Sequence, residues 1–111
     1  MATIFGEIIA GNLPAEKVFE NETILAIKDI NPVAPVHLLI MPKKEIRGLQ
    51  EMTENDFPLL GEIVQVAQEL AVKFGIEEDY RLLTNNGSGA GQTIFHLHFH
   101  LIGGRDLKAM G

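Results

Sequence analysis

Three of the chain's four histidines fall at His96, His98 and His100. In an extended segment this alternation places all three imidazoles on one face, at steps of roughly 6.5–7 Å. A single histidine on an apolar strand is usually a hydrogen-bonded structural residue. Three in alternation are not explained that way: burying stacked imidazoles costs desolvation and packs no better than leucine, so the row marks a solvent-reachable site. Two chemistries fit. Neutral imidazoles are common zinc ligands, and a His-x-His pair with a third histidine can hold the metal with an open position. Alternatively, an unprotonated imidazole attacks phosphorus near neutral pH while neighbouring imidazoles bind the phosphoryl oxygens and protonate the leaving group.

The residues just upstream bear on that choice. Asn85 to Gln92 contains Gly87, Gly89 and Gly91. Such a loop offers backbone N–H groups as an anion nest, with the Gln92 amide and the Thr93 hydroxyl as further donors. No nearby carboxylate stands out as a partner for metal-bound histidines, so phosphate is favoured over zinc. The loop matches neither the dinucleotide-binding spacing nor the P-loop ending, and it leads into a strand rather than a helix.

These residues need a scaffold. Ile4, Phe5, Ile8 and Ile9 form a short helical stripe ended by Gly11, Asn12 and Pro14. Val18–Glu20 and Thr23–Lys28 read as a hairpin, Asp29–Pro35 as a proline-broken loop, and Val36–Met41 as a buried strand ending at Pro42. Thr53 and Asp56 supply N-cap and first-turn signals for a long helix. Its apolar face holds Leu59, Leu60, Ile63, Val66, Ala67, Leu70 and Phe74, and Gly75 stops it. Tyr80–Thr84 is a fourth strand and Thr93–Ile102 a fifth, with Phe95, Leu97, Phe99 and Leu101 opposite the histidines. The expected fold is α+β: a five-stranded antiparallel meander in sequence-adjacent order, with one long and one short helix.

The chain has 111 residues, 46% of them hydrophobic, enough for one core and no second domain, so residues 1–111 read as a single unit. A net charge of −6 leaves no basic field for nucleic acid or anionic membranes, so any phosphate must be held locally. There is no cysteine, hence no disulfide or thiolate chemistry, and no apolar run long enough to span a bilayer. These features predict a soluble cytoplasmic protein.

The segment Gln92-Thr93-Ile94-Phe95-His96-Leu97-His98-Phe99-His100-Leu101-Ile102-Gly103-Gly104-Arg105 resembles the signature of the histidine triad superfamily. Ile4-Phe5, Asp29-Ile30-Asn31-Pro32, Ala34-Pro35-Val36-His37 and Pro42-Lys43-Lys44 extend the likeness to its HINT-type, nucleotide-binding branch along nearly the whole chain. The resemblance implies hydrolysis of purine nucleoside 5′-phosphoramidates through a covalent nucleotidyl-His98, without metal or cofactor. It implies that His100 binds the phosphate and assists the leaving amine, and that His96 and His37 complete the network orienting His98. It further places Asp29 on the ribose hydroxyls, Asn85, Gly91, Gln92 and Thr93 around the phosphate, and Ile4, Phe5, Ile8, Ile27 and Ile30 around the base. A homodimer that extends the sheet is implied as well. Many members carry a tryptophan near the C-terminus that shapes the leaving-group side; this chain has none.

Read without the resemblance, these residues have plainer roles. Asp29 before a proline loop caps an Asx-turn, Ile4, Phe5 and Ile8 are a core stripe, His37 is structural, and Lys43 and Lys44 are solvated strand-end charges. Two other functions remain open: a nucleotide-sensing interaction module whose turnover is incidental, and a zinc hydrolase.

Overall fold

Two strands are apolar almost without a break because both of their faces are covered. They are β2 (Ile24–Lys28) and β3 (Val36–Pro42), paired antiparallel from Ile24↔Pro42 to Lys28↔Leu38. Ile24, Ala26, Leu38 and Ile40 point to the long helix α2 (Pro58–Lys73), where they meet Ile63, Val66, Ala67, Leu70 and Ala71. Leu25, Ile27, Leu39 and Met41 point the other way, onto Phe5 and Ile8 of the short helix α1 (Ile4–Ile9). Period-two alternation thus sorts one continuous apolar run into two cores. The computed structural model describes residues 3–110; Met1, Ala2 and Gly111, part of the single unit expected over 1–111, lie outside the described residues.

The sheet is completed by β1 (Lys17–Glu20), β4 (Tyr80–Leu83) and β5 (Phe99–Gly103). All neighbours are antiparallel, in the order β1-β2-β3-β5-β4. The α+β class with five antiparallel strands and two helices is as expected. The sequence-adjacent order is not: β5 inserts between β3 and β4. The cause is α2, which returns the chain to the far edge, so that β4 and β5 enter as a hairpin with β5 inside. Insertion gives the histidine-bearing strand two neighbours, with His100 opposite Leu39 on one side and Leu83 on the other.

Local signals succeed and fail for identifiable reasons. Gly75 adopts φ +73° past the end of α2, and Ile76 N donates back to Ala71 O, a glycine-dependent C-terminal closure. At the other end neither Thr53 nor Asp56 caps α2, which begins at Pro58 after Phe57. The Asp56 carboxylate turns back instead, accepting from Thr53 N and Oγ1 and pairing with Lys44. The fifth strand is shorter than its alternation suggests, because residues 93–98 are not in the ladder. There Leu97 N donates to Ile46 O, and the Thr84 hydroxyl donates to His98 O.

Candidate active site

The histidines keep their common side although only His100 lies in regular strand. Leu97 joins Ile46 and Met52 beneath the opposite face, and Leu101 packs under α2. On the histidine side a cavity of about 470 Å³ is lined by Ile4, Phe5, Ile8, Ile27, Asp29, Ile30, Thr93, His98 and His100. Its size falls within the roughly 300–1,000 Å³ of small-molecule sites, and its walls are mostly apolar with a few polar groups at one end. Leu13, Pro14, Ala15, Asn31, Leu39 and Ile94 complete much of the lining and were not anticipated. Ile94 and Leu39 carried a signal: each lies at a position whose alternation puts it on the histidine face.

Hydrogen bonds to groups of fixed role assign the ring protons. His98 Nδ1 lies 2.7 Å from the His96 carbonyl, which can only accept. The proton is therefore on Nδ1, and Nε2 of a neutral His98 carries a free lone pair. His37 Nδ1 accepts from Val33 N at 3.1 Å, so its proton sits on Nε2. That Nε2 is 2.9 Å from His100 Nδ1 and 3.3 Å from Asp29 Oδ2, both acceptors in this arrangement. His100 therefore carries its own proton on Nε2. One ring presents a nucleophilic nitrogen and its neighbour, with centroids 5.2 Å apart, presents an N–H.

His96 contributes differently from what its type suggests. Its ring Nε2 donates to Pro42 O at 2.7 Å, it is 1% exposed, and Nδ1 has no partner. It orients His98 through its backbone carbonyl, not its imidazole. The Phe5 ring packs edge-on to His98, with centroids 4.9 Å apart, so the residue expected beside a base also holds the His98 ring. His37 contacts His100 rather than His98.

The row is also less open than expected: His96 and His98 are 1% and 8% exposed, and His37 on β3 is 7% exposed. Burial pushes His98 below the ordinary imidazole pKa, and the adjacent His96 adds to the fall against its own backbone hydrogen bond. Burial, then the neighbouring His98 and His37, push His100 down to about 4. Burial lowers His37 too, against the pull of Asp29. All three are neutral at pH 7, the state in which His98 Nε2 is nucleophilic.

All five residues expected around the base line the cavity, but several of those expected around the phosphate do not. The Gln92 amide is spent internally: Nε2 donates to Arg47 O and Ile94 O, and Oε1 accepts from Gly87 N. It is a buried strut of the glycine loop, not a free donor. Asn85 packs beside Gly91, whose φ is +99°, and neither lines the cavity. Of the expected donors around the phosphate, Thr93 reaches it. Ile4 and Ile30 stand on its rim, 57% and 92% exposed, while Phe5, Ile8 and Ile27 form its wall.

Asp29 does what the plain reading required and also lines the cavity. Oδ1 caps a turn by accepting from Asn31 N, and Oδ2 faces His37. This removes the ground on which the sequence disfavoured metal, namely the lack of a carboxylate near the histidines. Donor atoms of Asp29, His37 and His100 lie within 4.8 Å of one another, a set of oxygen and nitrogen ligands suited to a divalent cation.

Comparison with known proteins gives the family. A model of the HIT domain matches residues 10–107. A HIT-like protein of Chlamydia pneumoniae is 52% identical over 108 residues, covering 97% of this chain and 98% of its own. The solved structure of a HIT family hydrolase from Clostridium thermocellum superposes with a TM-score of 0.93 at 46% identity, covering 97% of this chain and 95% of that one. A histidine triad nucleotide-binding protein from Candida albicans does so with a TM-score of 0.81 at 30% identity, covering 99% and 87%. With the row of imidazoles, the sheet and these relatives in agreement, the chain belongs to the histidine triad (HIT) family.

Proposed function

We propose that the protein is a nucleotide-binding hydrolase that cleaves the P–N bond of purine nucleoside 5′-phosphoramidates. The single observation carrying this reading is the proton pattern of the two cavity-lining imidazoles: a lone pair on His98 Nε2 beside an N–H on His100 Nε2. A phosphoryl group between them meets a nucleophile and a donor. The hydrolase and nucleotide-binding relatives support it.

In this mechanism the apolar wall of Phe5, Ile8 and Ile27 takes the base, and Asp29 accepts the ribose hydroxyls. His98 Nε2 attacks the α-phosphorus in line, forming a P–N bond to the ring as the bond to the amine breaks. His100 Nε2–H and the Thr93 hydroxyl meet the phosphoryl oxygens and the departing nitrogen. The departing nitrogen takes the His100 Nε2 proton, and a proton from solvent replaces it, so that His100 is again neutral once the amine has left. Water then attacks the nucleotidyl-His98, releasing the nucleoside monophosphate and restoring the neutral ring. The chemistry needs no metal. A homodimer joined at a free sheet edge belongs to the same proposal; β1 and β4 are the two edges.

Release of AMP from adenosine 5′-phosphoramidate, measured with excess chelator for wild type and His98→Ala, tests the reading. Turnover by wild type alone supports it. Loss of wild-type activity on chelation, regained with zinc, would make the Asp29, His37 and His100 cluster a metal centre instead. Tight AMP binding without turnover would favour a nucleotide-sensing module.

A further inference from the structure

The Gly103-Gly104-Arg105 sequence that closes the histidine signature takes no part in the chemistry above, and Arg105 does not line the cavity. Three of its five guanidinium N–H groups are nonetheless engaged. Nε and Nη2 donate to the Val33 carbonyl at 3.2 and 2.9 Å, and Nη1 donates to Asp106 O at 2.7 Å. Among the described residues it has no carboxylate partner. A cation whose fork closes on one backbone carbonyl is holding a loop rather than balancing a charge.

That loop, residues 29–35, carries Asp29 and ends just before His37. Pro32 and Pro35 deprive it of two donors. Its other described bonds stay within residues 29–37: Asp29 N to His37 O, Asn31 N to Asp29 Oδ1, and Val33 N to His37 Nδ1. Arg105 supplies the one hydrogen-bonded tie from residues 30–35 to a distant segment among the described residues. Gly104 permits the approach, since its φ is +95° and a Cβ there would come within 3.0 Å of Pro35 Cβ.

We propose that Arg105 is a positioning residue for the histidine cluster: by holding the Val33 carbonyl it keeps the Val33 N–H on His37 Nδ1, and so fixes the protons of His37 and His100. The same residue, Val33, thus receives Arg105 through its carbonyl and addresses His37 through its N–H. Asp29 enforces the same His37 tautomer in the free protein. Once a ribose engages that carboxylate, Val33 N–H is the group left to do so. Without it His37 can carry its proton on Nδ1 and accept from His100 Nδ1, which strips the proton from His100 Nε2 and leaves the departing amine without its donor. Arginine suits the task where lysine does not, because two N–H groups of a rigid fork reach one oxygen.

The proposal rests on the phosphoryl-transfer reading for its kinetic consequence only. The test joins 15N spectra of the imidazoles, recorded with and without AMP, to kinetics on two nucleotides. Adenosine 5′-phosphoramidate has an amine leaving group that needs a proton; the 4-nitrophenyl ester of AMP has one that does not. In wild type His37 should be protonated on Nε2. In Arg105→Ala with AMP bound the other tautomer should appear, with kcat on the phosphoramidate falling on the order of tenfold and kcat on the ester changing less than about twofold. Arg105→Lys should recover part of the loss, and Gly104→Ala should reproduce the tautomer change in the AMP complex with the guanidinium still present. A His37 protonated on Nδ1 in wild type, an unchanged tautomer in the AMP-bound variants, or equal losses on both nucleotides overturns the proposal. Should wild type hydrolyse neither nucleotide, the phosphoryl-transfer reading fails while the spectra, which need no turnover, still decide the role of Arg105.

Discussion

At the scale of single residues, the division of labour among four histidines follows from which partners can only donate or only accept. Val33 N–H, the His96 carbonyl and the Pro42 carbonyl leave each ring one tautomer. His98→Ala should accordingly remove turnover by about 10⁴-fold or more while retaining AMP affinity, as kinetics and calorimetry would show. His100→Ala should cost the 10²–10⁴ of one acid–base group, roughly. The lowered pKa of His98 has a sign that can be checked. Its nucleophilic neutral form persists below 6.5, so the acid limb of kcat/KM should lie below the ordinary imidazole value. Stability has the same sense. Between pH 6.5 and about 4 the unfolded chain binds protons that the native His100 refuses, so thermal stability should fall as pH drops through that window. A flat melting temperature from pH 7 to 4 would show that these rings are not buried neutral. The row itself was legible because alternation is a property of sequence. That His96 acts through its carbonyl, and that Asp29 reaches His37, was not: the first depends on the irregular backbone of residues 93–98, the second on the path of a loop with two prolines.

At the scale of elements, the sequence located all five strands and both helices, since each is a run of one periodicity ended by turn-forming residues. Three readings failed for tertiary reasons. The order of β4 and β5 depends on where α2 delivers the chain. The start of β5 depends on neighbours, because residues 93–98 alternate like a strand yet bond to Ile46 and Thr84 instead. Gln92 looked like a phosphate donor because the glycine loop was read without the loop it leans on. With its amide tied to Arg47, Ile94 and Gly87, Gln92→Ala should destabilise the protein by about 1–3 kcal/mol in chemical denaturation without any ligand. A variant of native stability that binds AMP more weakly would return Gln92 to the phosphate. Gly103→Ala should also destabilise, by about 1–3 kcal/mol, because its Cβ would lie 2.9 Å from Ile76 Cδ1 in the α2 core.

At the scale of the whole molecule, a sheet with a core on each face divides stability from function. The α2 face is closed, while the α1 face is left open enough between Phe5, Ile27 and the histidines to hold a nucleotide. A chain of net charge −6 attracts no polyanion, so in the proposed function recognition of a single phosphate is assigned to the Thr93 hydroxyl, His98 and His100, which line the cavity. Saturating AMP should raise the unfolding free energy by about 2.7 kcal/mol at a hundredfold excess over Kd, and sedimentation should return twice the 12.2 kDa of one chain for the proposed dimer. The central claim is that His98 Nε2 forms a bond to phosphorus. Rapid acid or denaturant quenching of wild type turning over adenosine 5′-phosphoramidate, followed by peptide mass spectrometry, tests it most directly. An AMP adduct on the His98 peptide should appear within the first turnover and be missing in His98→Ala. Steady release of AMP with no adduct at any time, or with the adduct on another residue, would contradict it.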